Sequence, residues 1–150
     1  MAIPLVGKVV FDTNVFIDYL RADLRSEWVF GHPAGCTRFL SAVVLMELRL
    51  GADTPRRKRA VDRLGAAFPP NRVVAPTPEI FDRAGRAFPL IHGPRGQRMD
   101  RLAAMNDLLI ALTARHIGAT VVTRNLDDFA RIAQHVAGLR LLPPVWRVAD

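Results

Sequence analysis

Short apolar runs alternate along the chain with longer stretches in which apolar residues recur every three or four positions. Lys8-Val9-Val10-Phe11 is an apolar run with β-branched residues and predicts a buried strand. Thr13 or Asn14 then caps a helix through about Leu24, with Phe16, Ile17 and Leu20 on one face. Thr37 to Leu40 predicts a second strand. Ser41 caps a helix running to Gly51, a glycine where a helix C-terminus favours one. A basic helix is expected from Pro55 to Ala67, ended by Pro69-Pro70. Arg72-Val73-Val74 reads as a third strand, Pro76 to Phe88 as a helix, and Gly93-Pro94-Arg95-Gly96 as a loop. The longest helical pattern runs from Gln97 to Ile117 and stops at Gly118. Thr120 to Thr123 is a further buried strand, Asp127 to Val136 a short helix, and Leu139 to Leu142 an edge strand before Pro143-Pro144.

Strands alternating with helices predict an α/β sandwich with a central, mostly parallel sheet, whose ligands sit at the carboxyl ends of the strands. Neither an internal repeat nor a long linker divides the 150 residues, so one domain over 1–150 is expected. Half the residues are hydrophobic, which excludes a disordered chain. No apolar run approaches the roughly 20 residues that span a bilayer, and the N-terminus lacks a basic segment followed by an apolar stretch. The single cysteine, Cys36, excludes an internal disulfide and fits a reducing compartment, so a soluble cytoplasmic protein is expected, with no membrane partner. Charge changes the picture: 21 Lys and Arg face 14 Asp and Glu, for a net +7. Apart from Lys8 and Lys58 the basic residues are arginines, whose planar fork suits phosphate oxygens. The excess favours a polyanionic partner, chiefly nucleic acid, although an acidic protein partner accounts for it as well.

Several acids occupy places where acids are unusual. Asp12 directly follows the apolar strand; a site acid at a strand's end and an ordinary helix cap both fit there. Glu47 interrupts Val43-Val44-Leu45-Met46-Glu47-Leu48, a helix apolar enough to be largely buried. A buried carboxylate needs a cation or takes up a proton, and an ion pair with Arg49 or another arginine is the alternative. Asp107 lies in Leu102-Ala103-Ala104-Met105-Asn106-Asp107-Leu108-Leu109-Ile110-Ala111, on a stripe with Ala103 and Ala111. Here too a buried salt bridge is the alternative. Thr123-Arg124-Asn125-Leu126-Asp127-Asp128-Phe129 follows the later strand and reads either as part of a site or as a turn with Asp127 as cap. Converging carboxylates repel one another unless divalent cations neutralise them. Hard oxygen ligands select Mg²⁺ or Mn²⁺ over Zn²⁺. His32, His92, His116 and His135 show no metal-site spacing and read as surface or core residues. An acidic site in a basic protein points to phosphate-ester chemistry.

At these residues the chain resembles the PIN-domain family and, within it, VapC-type toxins of bacterial toxin–antitoxin pairs. The resemblance rests on four segments in the family's order: Val10-Phe11-Asp12-Thr13-Asn14-Val15-Phe16-Ile17-Asp18, Ser41-Ala42-Val43-Val44-Leu45-Met46-Glu47-Leu48-Arg49-Leu50-Gly51, Asn106-Asp107-Leu108-Leu109-Ile110-Ala111, and Thr123 to Phe129. It implies a PIN-like α/β/α sandwich and a Mg²⁺- or Mn²⁺-dependent endoribonuclease with Asp12, Glu47 and Asp107 as metal ligands. Where many members carry a fourth acid this chain has Asn125, with Asp128 three residues on, so one metal or two stays open. The resemblance further implies a homodimer, a cognate antitoxin that blocks the acidic pocket, and structured tRNA or rRNA as substrate.

The mechanism expected is attack of a metal-bound water on the phosphorus, leaving a 5′-phosphate and a 3′-hydroxyl. Asn125 and Asp128 would position water, metal or substrate, and Thr13 and Thr123 would tune the ligands. Arg56, Arg57, Lys58, Arg59 and Arg63 on the basic helix, with Arg124, are candidates for phosphate contact; a solvated helix face is the alternative. Trp28, Trp146 and Tyr19 read as base-stacking or as core and interface residues. The helix from Pro76 to Phe88 is a candidate dimer surface. Rival functions are a housekeeping PIN nuclease, a non-catalytic PIN binding module, and a phosphatase of the haloacid dehalogenase type. That last class places a second Asp two residues after the first, where this chain has Asn14.

Overall fold

A computed structural model describes residues 7–22, 30, 35–93 and 100–144. The apolar runs form five strands: β1 (Gly7–Phe11), β2 (Cys36–Ser41), β3 (Val73–Val74), β4 (Thr120–Val122) and β5 (Arg140–Leu142). Among the described residues six helices separate them: α1 (Thr13–Ala22), α2 (Ala42–Gly51), α3 (Pro55–Ala66), α4 (Pro78–His92), α5 (Arg101–His116) and α6 (Leu126–Ala133). All pairings are parallel, in the order β3-β2-β1-β4-β5. The sheet is thus wholly parallel, flanked by helices as an α/β/α sandwich. The chain builds outward from β1 to β3 on one side, then returns to lay β4 and β5 on the other. β1 and β4 therefore meet where the winding reverses, and the crevice beyond their carboxyl ends is the natural ligand position of such sheets.

Local chemistry explains most boundaries. Ser41 ends β2 and caps α2, its Oγ accepting from the Val43 amide at 3.2 Å. Thr54 and Thr77 cap α3 and α4 in the same way. Thr77 accordingly starts α4 two residues later than the expected Pro76. That helix also runs past Pro89 to His92, because Phe88 and Ile91 stay packed on the core and one lost hydrogen bond does not break the helix there. Gly93, at φ 80°, then stops it. Gly51 is the last residue of α2 rather than a left-handed cap, and Ala52 follows it at φ −93°. Arg72 belongs to a short 3₁₀ turn before β3, and α6 begins at Leu126 with Asn125, not Asp127, at its N-cap. The expected end of the first helix at residues 23 and 24 lies outside the described residues. So do the loop from Pro94, Trp28 and Trp146. The helix expected from Gln97 instead begins at Arg101, because Asp100 is extended and caps it through the Ala103 amide.

The core is apolar and centred on the sheet. Phe11, Phe16 and Phe68 make edge-to-face contacts, with centroids 5.9 and 6.2 Å apart. α5 packs against α2, α4 and α6, and its residues from Leu108 to Ala114 are all buried. Burial on every side of a helix demands that kind of apolar sequence. The helix carrying Glu47 is less enclosed than its sequence suggests: Val43, Val44 and Leu48 are buried, but Met46 is 42% and Leu50 70% exposed. Tyr19 packs edge-on against Phe30 at 5.3 Å, a structural role. Among the described residues no helix is long and apolar enough to cross a membrane.

Ser41 joins the strand that precedes Glu47 to the helix that carries it. Replacing it, Ser41→Ala, is expected to lower stability by about 1 kcal/mol through loss of the cap, read as a lower urea midpoint at unchanged slope.

Candidate active site

Asp12 stands one residue past β1, and its amide still donates to the Val122 carbonyl at 2.9 Å. Thr123 stands one residue past β4, its amide donating to Leu142 at 3.0 Å. The register that pairs Phe11 with Val122 therefore sets Asp12 beside Thr123, at the reversal point of the sheet. Both are buried. The Thr123 hydroxyl donates to Asp12 Oδ2 at 2.8 Å, and accepts from Asn14 Nδ2 at 3.2 Å and from the Asn125 amide at 2.9 Å. Asn14 Nδ2 also donates to Asp12 Oδ2 at 3.1 Å, while Asn14 Oδ1 accepts from the Arg124 amide at 3.2 Å. Asp12 Oδ1 accepts from the Thr13 amide at 2.8 Å. Asp12 thus serves both readings: it binds the first amide of α1 and is fixed at the strand end.

Glu47 reaches the same place from α2. Its Oε1 accepts from the Thr13 hydroxyl at 2.6 Å, and the side chain is half-buried rather than enclosed. The alternative partner, Arg49, is bound to Asp62. Asp107 approaches from α5. Burial, then the charges of Asp12, Glu47 and Asp128, push its pKa from 3.8 to about 8. Among the described residues no hydrogen-bond donor or cation meets its carboxylate. Asp12 is raised to about 6, chiefly by burial with Glu47 adding to it, while Thr123, the Thr13 amide and Arg124 pull it down. The acids picked out along the sequence therefore do converge.

Asn125 and Asp128 complete the site from the start of α6. Asn125 Nδ2 donates to Asp128 Oδ2 at 2.9 Å, so the two act as a pair. Both line a cavity of about 220 Å³ together with Asp107, His92, Asp100, Ala103, Ala104 and Ile132. The basic candidates part company here. Arg124 sits at the site, its Nε 2.9 Å from Asp18 Oδ2. Arg56, Arg57, Lys58, Arg59 and Arg63 form an exposed face of α3, with Arg57 bound to Asp53 at 2.7 Å, and no described contact joins them to the acids.

Three residues of the site were not singled out by sequence reasoning. Asn14 looked like a helix cap, yet it ties Asp12, Thr123 and Arg124 together. Asp100 caps α5 through the Ala103 amide and borders the cavity. His92 was read as a surface or core residue but lines the cavity, with its pKa lowered by burial and by Arg131 while Asp128 opposes. Only the extension of α4 past Pro89 brings it there, and a proline signal hides that extension.

The acid donors are all oxygen, which suits a hard divalent cation. Among the described residues no three His, Cys, Asp or Glu side chains close into a ready-made metal cage. Mg²⁺, which keeps several waters and takes one or two direct carboxylates, does not require one.

Raised carboxylates have a defined effect on metal-free protein. A group protonated up to about pH 8 in the fold but ionising near 3.8 when unfolded stabilises fully at low pH. That contribution is lost as pH climbs from about 4 toward 8. Asp107→Asn is therefore expected to raise the melting temperature in EDTA at pH 8 by a few degrees, with the gain shrinking toward pH 5. Equal melting curves at pH 8 would show that the carboxylate carries no such strain.

A family profile described as PIN domain matches residues 9–134. Solved structures give the same architecture. VapBC-1 from nontypeable Haemophilus influenzae superposes with TM-score 0.66 at 22% identity, over 91% of this chain and 97% of that one. DNA-bound VapBC from Salmonella typhimurium gives 0.65 at 22% identity, over 93% and 98%. FitAcB from Neisseria gonorrhoeae gives 0.62 at 21%, over 89% and 96%. At such identities the likeness is one of fold. No curated protein matches the chain. With four acids gathered at the reversal point of a parallel sheet, and the profile spanning all of them, the chain belongs to the PIN-domain family.

Proposed function

We propose that the chain is a Mg²⁺- or Mn²⁺-dependent endoribonuclease, the toxin of a VapC-like toxin–antitoxin pair, acting on structured tRNA or rRNA. The observation that carries this reading is the Asp107 carboxylate, pressed by Asp12, Glu47 and Asp128 and lacking a donor among the described residues. Acids crowded in this way favour a divalent cation. In a chain of net charge +7 they point to phosphate esters as substrate. Membership of the PIN family supports nuclease activity. The resemblance to VapC-type toxins, with the fold shared with VapBC structures, supports an antitoxin partner.

In this reading Asp12, Glu47 and Asp107 hold the cation, which when bound activates water and stabilises the leaving oxygen. The protein orients these acids in advance. Thr123 and Asn14 fix one oxygen of Asp12, and Thr13 binds the other through its amide and Glu47 through its hydroxyl. Asn125 and Asp128 orient the RNA strand or the attacking water beside Asp107. In-line displacement then leaves a 5′-phosphate and a 3′-hydroxyl. Arg124 and the exposed Arg56, Arg57, Lys58 and Arg59 grip the RNA backbone. The chain acts as a homodimer through the apolar surface around Phe81 and Leu90 of α4, both exposed. The antitoxin covers the acidic pocket.

Purified protein incubated with total tRNA and rRNA is expected to make discrete cuts with Mg²⁺ or Mn²⁺, none in EDTA, and none with Asp12→Asn. Cuts that persist in EDTA or in the variant would remove the acids from the mechanism. For the basic helix the measurement is the salt dependence of RNA binding. Neutralising Arg56, Lys58 and Arg59 to Gln should reduce the slope of log K against log salt by roughly 2, whereas an unchanged slope takes α3 out of the interface.

A further inference from the structure

The cavity beside Asp107 takes in one side of the candidate site. Asp107, Asn125 and Asp128 line it; Asp12 and Glu47 do not. At about 220 Å³ it is several times the ~30 Å³ share of one water, so a single bridging water leaves most of it unfilled. Ala103, Ala104 and Ile132 make one part of its wall apolar. Into this space α4 delivers His92, and both ring nitrogens are shielded from solvent without a hydrogen-bond partner among the described residues. Buried polar atoms in folded proteins are nearly always paired, and an exception asks for an external partner. Packing alone does not account for the imidazole. It rests on Phe88, with centroids 4.8 Å apart, a contact a phenyl ring would make equally well.

The chemistry of the lining selects the ligand class. A neutral imidazole offers one donor and one acceptor, and burial favours that neutral form. A phosphate takes donors only and is repelled by Asp107 and Asp128. A nucleoside matches better on each count: hydroxyls and base edges both donate and accept, exocyclic amines donate to carboxylates, and the base face suits an apolar wall. We propose that this cavity is a nucleoside subsite for an RNA nucleotide flanking the scissile phosphate, and that His92 is its hydrogen-bonding residue. The proposal rests on the nuclease reading above. His92 thereby contributes to choosing which nucleotide is placed beside the acids.

The test compares wild type, His92→Phe and His92→Gln on an RNA oligonucleotide spanning a wild-type cut site. His92→Phe keeps the ring on Phe88 and removes both nitrogens, so kcat/KM is expected to fall about tenfold, the worth of one hydrogen bond. Its melting temperature should stay level or rise. His92→Gln, which carries a donor and an acceptor, should recover part of the activity. Oligonucleotides with a single 2′-deoxy sugar or a changed base at each flanking position identify the contact: the substitution that slows wild type should not slow His92→Phe further. Wild-type cutting by His92→Phe would overturn the subsite and leave the nuclease reading intact. So would joint loss of activity and stability without rescue by Gln, which marks a structural role. Altered antitoxin inhibition with unaltered cutting would assign the cavity to the protein partner instead. A wild-type protein that cuts no RNA would sink the nuclease reading itself.

Discussion

Negative charge is concentrated where water is scarce, and much of the structure follows from that. A parallel sheet wound outward from its centre leaves a crevice at the ends of β1 and β4, and Asp12 is buried in it. One carboxylate there is manageable, because Thr13, Asn14 and Thr123 surround it with donors. Among the described residues Asp107 has no such escort, yet it faces the same acids. The fold tolerates the repulsion because α5 carries Asp107 on a helix whose next seven residues are all buried. Stability is drawn from the apolar part of that helix and relinquished at its polar position, the usual relation between a core and the site it supports.

Electrostatics acts on two scales here. Over the whole molecule the chain is positive, and its field attracts polyanions. Within the crevice the sign reverses. Arg124 stands at the boundary, paired with Asp18 and close enough to lower the pKa of Asp12. In the proposed mechanism this reversal separates attracting a polyanion from holding its reacting atoms, with the cation as mediator between an acidic crevice and an anionic substrate.

The acids were legible along the sequence because each violates its surroundings. Asp12 ends an apolar run, and Glu47 and Asp107 interrupt apolar helices. Strand order and parallel pairing were legible only in outline, since hydrophobic alternation identifies elements without saying which neighbour each strand takes. The burial of Glu47 was overestimated because one-dimensional hydropathy does not distinguish a central helix from a peripheral one; Met46 and Leu50 face solvent. The place of His92 at the cavity was missed for a different reason. Pro89 looks like a stop signal, but the packing of Phe88 and Ile91 carries the helix one turn farther. Asn14 illustrates the limit of local reading, since its partners Thr123 and Arg124 come from the other end of the chain.

The bond between Thr123 and Asp12 spans 111 positions, and this bears on how the protein is born. A ribosome releases the chain from its N-terminus, at roughly 5–20 residues per second. While β4 is still unmade, β1 lacks its inner neighbour, Asp12 lacks the Thr123 hydroxyl, and Asp107 has only just been added or is absent. The emerging polypeptide therefore holds the first acids of the site without the means to align them. The donors around Asp12 are therefore completed late, when the fourth strand docks beside the first.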